Sequence, residues 1–522
     1  MSFVNSFFRV LYTFFYFSQD KDMKNSVGRG ALILIISGLI CKFFGAMFRL
    51  PLTNILGLQG IGVFQMVMSL YSLTLGFVSG GVTNSLSKLV SSARARGDYK
   101  KIGGHFRYAL YFSLGLSVFF GVFFLLFSRS IASLQGYSGA SISYMLLSLL
   151  LPMGALIGTF RGIIQGYENM TPTAISQIIE QVVKFAFGLI FAYFFGRRGI
   201  GAGVFGAFLG ITLSEVLALL FLVFVIKKKG VKPSDAPVRK EFFKAVLPLT
   251  VSSSTLPLAN AIEALIIISL LSFAGLSNEV ATTLYGLQSG VAGAILHFPL
   301  IISLAVASAM LPKISFLSAK DDYLGQQRII NKTFNIMWFL LIPLILGIIA
   351  ISRELYPIIY PSVVDGYLDI AFQLTFLGGI AIILSAFMQF LNSILQAKGY
   401  YNYSLLFNVV GALGKILSIV IFAPIPQINI FAIPISNIVV FSIICICALI
   451  KLGALIKVSF FGFALPLLSA VIMFMVVKLW LSFLAGTLGV LIGVVLGGIV
   501  YLLLCLPLVF EYGRLIKNYK EA

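Results

Sequence analysis

RGIIQGYENMTPTAISQIIEQVVK (residues 161–184) and NSILQAKGYYNYSLLFNVVGALGK (residues 392–415) align without a gap. The register pairs Gln165 with Gln396, Thr173 with Ser404 and Lys184 with Lys415. A second block recurs at nearly the same distance. Lys88-Leu-Val-Ser, followed by a polar stretch closing at Asp98-Tyr99, is echoed by Lys313-Ile-Ser and a polar stretch closing at Asp322-Tyr323. Six apolar segments separate the copies. An even number of crossings preserves direction, so the two copies run parallel and are related by an axis along the membrane normal.

The rest of the chain fits that frame. Of its 522 residues 59% are hydrophobic and only 10% charged, against roughly 25% charged in soluble domains. The mean hydropathy is +1.04. The charge deficit runs along the whole length, which excludes a soluble body on one anchor, a disordered chain and a fibre. The sequence predicts an all-α polytopic membrane protein with about fourteen transmembrane helices. Helices 1–6 fall in 27–226 and a basic linker in 227–244. Helices 7–12 fall in 245–450, and helices 13–14 with a basic tail in 451–522. The two six-helix repeats are expected to form V-shaped lobes around a central cleft, where transporters of this architecture place substrate. Residues 1–26 read as an interfacial segment or an upstream start, with Met23 as the alternative.

Lys and Arg number 37 against 17 Asp and Glu, a net charge of +20. The basic residues cluster in alternate loops: Arg94, Arg96, Lys100 and Lys101; Lys227 to Lys244; Lys320, Arg328 and Lys332; Lys398; Lys451 and Lys457; Arg514 to Lys520. The other loops hold little beyond Arg129, Arg197, Arg198 and Arg353. This asymmetry predicts that both termini are cytoplasmic, and it explains the excess charge through topology and anionic lipid, without nucleic acid.

An ionisable residue at mid-bilayer costs roughly 2.5–3.5 kcal/mol on insertion scales and is a functional candidate by default. Lys42 and Arg49 lie seven apart and share one face of span 1. With Arg161, Lys184, Gln181 and Glu263 they form the expected substrate-binding set. Glu180 and Lys184 are spaced i, i+4 and can pair with each other. Glu263 follows Pro257 in a proline-broken span, where freed backbone groups suit a cavity wall. Glu180, Lys184, Glu215 and His297 are the candidates for ion coupling or structural pairing, His297 reading first as a hydrogen-bonded core residue. Lys415 shows no obvious acidic partner. Cations outnumber acids among the intramembrane residues of the first half, which suits an anion, and a diphosphate above all.

Other patterns carry no chemistry. Gly201-Ala-Gly203-Val-Phe-Gly206 matches a nucleotide-loop spacing, but no strand precedes it. Gly206-x-x-x-Gly210 and Gly493-x-x-x-Gly497 read as close helix packing. Cys41, Cys445, Cys447 and Cys505 lie in apolar segments without metal-ligand spacing. No enzyme motif, metal site or cofactor is expected.

Three blocks resemble a known family. They are Arg161-Gly162-x-x-Gln165-Gly166-x-x-x-Met170-x-Pro172-Thr173-Ala174-x-Ser176-Gln177-x-x-Glu180-Gln181, Gly57-x-x-Gly60-x-Gly62-x-Phe64-Gln65, and Ser303-Leu-Ala-Val-Ala-Ser308-x-x-Leu311-Pro312-x-Ile314-Ser315. They resemble the stage V sporulation protein B and polysaccharide-transporter family, within the multidrug, oligosaccharidyl-lipid and polysaccharide exporter superfamily, and the chain is also similar to lipid II flippases. The resemblance implies a flippase in the bacterial cell membrane for an undecaprenyl-diphosphate-linked saccharide, with a peptidoglycan precursor such as lipid II, used in spore cortex, as the leading cargo. It places Lys42 and Arg49 at or beside basic positions of the lipid II flippases. The arginine those proteins carry ahead of a Phe-Pro pair is Ala294 here, and the acidic residue expected after the first span is Val63. Membrane lipids and cell-wall synthases are the expected partners, and the coupling is by H+, Na+ or the membrane potential alone. A cation-coupled multidrug exporter and a non-transporting scaffold for cell-wall synthesis are the alternatives.

Overall fold

The computed structural model describes residues 26–361, 366–455 and 460–507. The segment 1–25 with its alternative start, Lys457, and the basic tail past 507 lie outside the described residues.

The described chain is helical, with no strand. In the first half α1 (Ser26–Leu75) continues through a π turn (Gly76–Gly80) into α2 (Gly81–Ala95), and α3 (Tyr99–Leu134), α4 (Ser141–Gly166), α5 (Thr171–Gly196) and α6 (Ile200–Lys229) follow. The second half opens with α7 (Arg239–Phe273). Next, α8 (Asn278–Gly286) continues through a π turn (Leu287–Ala292) into α9 (Gly293–Ala319). Then come α10 (Tyr323–Ile359), α11 (Leu368–Ala397), α12 (Tyr401–Phe422) and α13 (Ala432–Leu452). α14 (Phe460–Phe483) and α15 (Gly486–Leu504) complete the chain.

Among the described residues thirteen helical segments are long and apolar enough to span a bilayer, so the chain is a multi-pass membrane protein. The first of them, Ile36–Ala95, has 60 residues. A straight helix of that length would run about 90 Å, three times the ~30 Å hydrocarbon core. Gly57 resolves the excess. Its backbone leaves the helix with φ 71° and ψ 177°, a region that only glycine enters at little cost. The rings of Phe48 and Phe64 then lie 6.2 Å apart, where sixteen residues of straight helix would separate them by about 24 Å. The chain therefore reverses at Gly57, and the segment makes two crossings, which restores the fourteen expected.

Most of each apolar core comes from one half, while Leu58 and Met66 of the second arm of α1 join the cluster around Ile267. Phe48, Phe64, Tyr144 and Phe208 form one first-half cluster, and Leu86, Ile163 and Leu222 another. Trp338, Phe390 and Ile444 centre one second-half cluster, and Ile267, Leu271 and Tyr356 the next. α7 belongs to both: Phe242 and Val246 pack in the first half, Ile267 and Leu271 in the second. The basic linker ahead of it is docked, not free. Ser234 donates to the Lys100 carbonyl, Arg107 pairs with Asp235, and Val238 is buried.

The repeat is visible at matching caps. Asp98 accepts from the Lys101 amide at 3.1 Å, and Asp322 from the Gly325 amide at 2.8 Å. At the repeat mates Arg161 and Asn392, the side chain bonds across to the following helix in both halves, to Ser176 at 3.0 Å and from Ser404 at 2.9 Å.

The glycine spacing in 201–210 lies inside α6 and lets α5 approach. A Cβ at Gly206 would stand 2.4 Å from the Phe191 carbonyl oxygen, and one at Gly210 2.3 Å from Gly188 Cα. Helices in lipid gain their association from such backbone contact, since burial of apolar surface drives little there. Gly210→Val is therefore expected to cost about 1–3 kcal/mol or more through overpacking. It should lower the thermal midpoint of the detergent-purified protein, while Gly115→Val, where a Cβ meets nothing within 4 Å, should leave that midpoint unchanged.

Candidate functional site: a cationic cavity between the halves

A cavity of about 280 Å³ opens where α1, α5 and α9 converge. Lys42 and Arg49 enter it from the first arm of α1, Lys184 from α5, and His297 from α9. The reversal at Gly57 adds Phe64, Gln65 and Met68 from the second arm. Lys42 lies fifteen residues before the reversal and Arg49 eight, so their Cα atoms sit about 22 Å and 12 Å along the helix from that end. The site is thus at membrane depth, and it takes residues from both halves.

Its electrostatics follow from which charges are paired elsewhere. Glu180 does not pair with Lys184 as its spacing suggested. It binds Arg161 on α4, with Nη2 to Oε2 at 3.0 Å. Arg161, with its Nε donating to Ser176, is held in this bridge and is absent from the cavity wall. Arg reaches Glu180 with a planar fork, a geometry Lys184 cannot offer. Lys184 points the other way, with its Nζ 5.9 Å from the centre of the Phe48 ring. Glu263 is also removed from the expected binding set. It forms a buried pair with Lys415, Nζ to Oε2 at 2.7 Å, with Asn260 as a further partner of the ammonium. The partner that Lys415 lacked in the sequence lies 152 residues away, across the α7–α12 contact. Glu215, 4% exposed, accepts from the Tyr71 hydroxyl. Gln181 stands behind the wall, its Oε1 3.9 Å from where Gly45 would carry a Cβ.

The result is a segregation of charge. No carboxylate lies within 4 Å of Lys42, Arg49 or Lys184 among the described residues, and none lines the cavity. A cation held at membrane depth without a partner is costly, and an anion entering the space offsets that cost through charge-assisted hydrogen bonds. His297 is part of this wall, not a core histidine. Gln65, which the isolated sequence did not single out as a site residue, presents an Nε2 with no partner among the described residues, so a donor amide joins the cations. Its only sequence signal was its place in the Gly57 to Gln65 block.

Long helices reversing between two halves, with a central polar cavity at membrane depth, define a transporter-type multi-pass membrane fold. The profile of the polysaccharide biosynthesis protein family matches residues 27–318, more than half of the chain, and the chain belongs to that family. Among curated relatives it is 29% identical to stage V sporulation protein B of Bacillus subtilis over 309 residues, 56% of this chain and 58% of that protein. It is 25% identical to the lipid II flippase MurJ of the same organism over 374 residues, 65% of this chain and 67% of that one. The match thus spans little more than half the length of the first relative. In solved structures the fold matches lipid II flippase MurJ in an inward closed conformation, with a TM-score of 0.69 at 15% identity, over 93% of this chain and 100% of that one. It also matches an inward-facing multidrug resistance MATE family transporter, with a TM-score of 0.62 at 17% identity, over 80% and 95%.

The Lys415–Glu263 pair separates structural from cavity charges. Removing one partner leaves the other charge buried and uncompensated, at about 3–5 kcal/mol, whereas replacing both by apolar residues is often nearly neutral. Lys415→Met is therefore expected to lower the thermal midpoint steeply, and Lys415→Met/Glu263→Leu to recover most of the loss. Equal midpoints for the single and double variants would show that the pair is not coupled.

Proposed function

We propose that this protein is a flippase that moves an undecaprenyl-diphosphate-linked saccharide, a peptidoglycan precursor such as lipid II, between the leaflets of a bacterial cell membrane. The observation that carries this reading is the cavity with Lys42, Arg49 and Lys184 and no carboxylate in its wall. Arginine and lysine bind diphosphate oxygens through short charge-assisted bonds. Gln65 and His297 add donors for further phosphate or sugar oxygens. About 280 Å³ suits the diphosphate of such a cargo, while the polyprenyl chain stays in the lipid. The family match and the names of the relatives support the same cargo class, and the name of stage V sporulation protein B supports a use in sporulation.

Under the positive-inside rule the face bearing the basic loops is cytoplasmic, and with it both termini. Two negative charges then move outward with the cargo. At about 100 mV the potential supplies roughly 2.3 kcal/mol for each charge, so potential-driven transport needs no ion or cofactor. A cation-coupled drug exporter fits less well. Glu180, Glu215 and Glu263, the acids it would use, are engaged with Arg161, Tyr71 and Lys415 and do not face the cavity.

The test is flipping of a fluorescent undecaprenyl-diphosphate disaccharide-pentapeptide in proteoliposomes under a valinomycin-set potential. Each lost charge-assisted contact is worth about 1.5–3 kcal/mol, and 1.4 kcal/mol is about tenfold. Lys42→Ala/Arg49→Ala is therefore expected to slow flipping by about 100-fold or more while the protein stays folded. Potential-independent flipping would refute the energy source. A double variant that flips at the wild-type rate would refute the site, and a folded wild-type protein that does not flip would favour the scaffold or the drug exporter.

A further inference from the structure

The second half carries a copy of the cavity's charged wall, and in that copy the place for an anion is already filled. The axis relating the halves passes where the repeat mates Gly62 and Gly286 touch. A Cβ at Gly62 would lie 3.0 Å from the Gly286 nitrogen, and one at Gly286 2.9 Å from the Gly62 nitrogen, a self-complementary contact. The first arm of α1 and α7 are mates as well. Each runs into a glycine of positive φ, Gly57 at 71° and Gly275 at 91°. Aligned on these glycines, at a spacing of 218 residues, Ser37 pairs with Thr255, Ala46 with Ala264 and Leu52 with Leu270. The same register pairs Lys42 with Asn260 and Gly45 with Glu263. Lys184 and Lys415 are mates on the helices that pack against these two, α5 on α1 and α12 on α7.

The two copies differ in charge. In the second half Lys415 is 4% exposed, and its ammonium is met by the Glu263 carboxylate at 2.7 Å and by the Asn260 amide oxygen. In the first half the same three places carry Lys184, Gly45 and Lys42, and all three line the cavity. The carboxylate is missing, and a second ammonium stands where the amide was. The place of the missing side chain is open. Outside its own helix, the nearest atom to a Cβ at Gly45 is Gln181 Oε1, at 3.9 Å, and that oxygen has no partner among the described residues. We propose that one phosphate of the cargo takes the place that Glu263 fills in the second half, seated against Gly45 and bridging the Lys42 and Lys184 ammonium groups. Gly45 is then the residue that makes the site take an external anion, because an acidic side chain there supplies the counter-ion from within. Arg49 lies one helical turn further on the same face and takes the adjoining phosphate. Its mate is Ile267, in an apolar core, so only the first half offers places for two linked phosphates. The naming of the anion as a cargo diphosphate rests on the flippase reading, whereas the subsite rests on the repeat.

The experiment installs the second half's carboxylate in the first. Gly45→Glu supplies the acid of Glu263, and Gly45→Gln has its size without its charge. In the purified full-length protein, Gly45→Glu should show a higher thermal midpoint than Gly45→Gln, and the difference should vanish or reverse in a Lys184→Met background. Inorganic pyrophosphate should raise the midpoint of the wild type and leave that of Gly45→Glu unmoved. Equal midpoints for the Glu and Gln variants, or a pyrophosphate shift that Gly45→Glu retains in full, overturn the subsite. Should both variants fail to fold, Gly45→Asp against Gly45→Asn decides on the same two readouts. In proteoliposomes Gly45→Glu should slow flipping about tenfold or more. Flipping at the wild-type rate in that variant overturns the subsite and leaves the flippase reading standing. A wild type that binds pyrophosphate in this Gly45-dependent way and flips no lipid-linked saccharide keeps the subsite and overturns the flippase reading instead.

Discussion

A charge or an open backbone group in hydrocarbon has nothing to bind except the protein itself, and this constraint orders the whole structure. The helices satisfy the backbone. The charges are then sorted by whether the protein supplies a partner. Arg161 takes Glu180, Lys415 takes Glu263, and Tyr71 takes Glu215. Lys42, Arg49 and Lys184 are left facing a common space. The cavity is defined as much by where the acids have gone as by where the cations point.

The same constraint explains the glycines. In water, apolar burial would hold helices together whatever their side chains. In lipid it contributes little, and close backbone contact becomes the means of association. Gly188, Gly206 and Gly210 hold α5 to α6 within the first half, and Gly62 and Gly286 bring the halves together on their axis. The first set joins helices that share a core. The second also lies in a shared core, where Leu58 and Met66 of the second arm of α1 pack with Ala281, Leu284 and Tyr285 of α8. α7 spans clusters of both halves and joins them a second time.

Much of the architecture was legible in the chain. Hydropathy located the crossings, loop charges sorted the two faces, and the alignment of 161–184 with 392–415 revealed the repeat. The face shared by Lys42 and Arg49 followed from helical spacing alone. Pairings were less legible. The i, i+4 spacing of Glu180 and Lys184 pointed to a local bridge, yet Arg161 from the preceding helix won, because a guanidinium reaches a carboxylate across an interhelical gap with better geometry than a lysine one turn away. Glu263 suggested a cavity residue because proline breaks its helix, and it is instead the counter-ion of Lys415. His297 read as a core residue and stands in the cavity wall.

What the sequence determined by itself is what depends on local period and composition: helix number, parallel repeats, an excess of cations at membrane depth, and the family. What the tertiary structure alone decided is which of those charges meet. Lys415 and Glu263 lie 152 residues apart, and Gly62 and Gly286 lie 224 apart. No local pattern encodes such distances. They are fixed by the reversal at Gly57 and by the axis between the halves, which place distant residues within contact and leave three cations around one space with no carboxylate partner among the described residues.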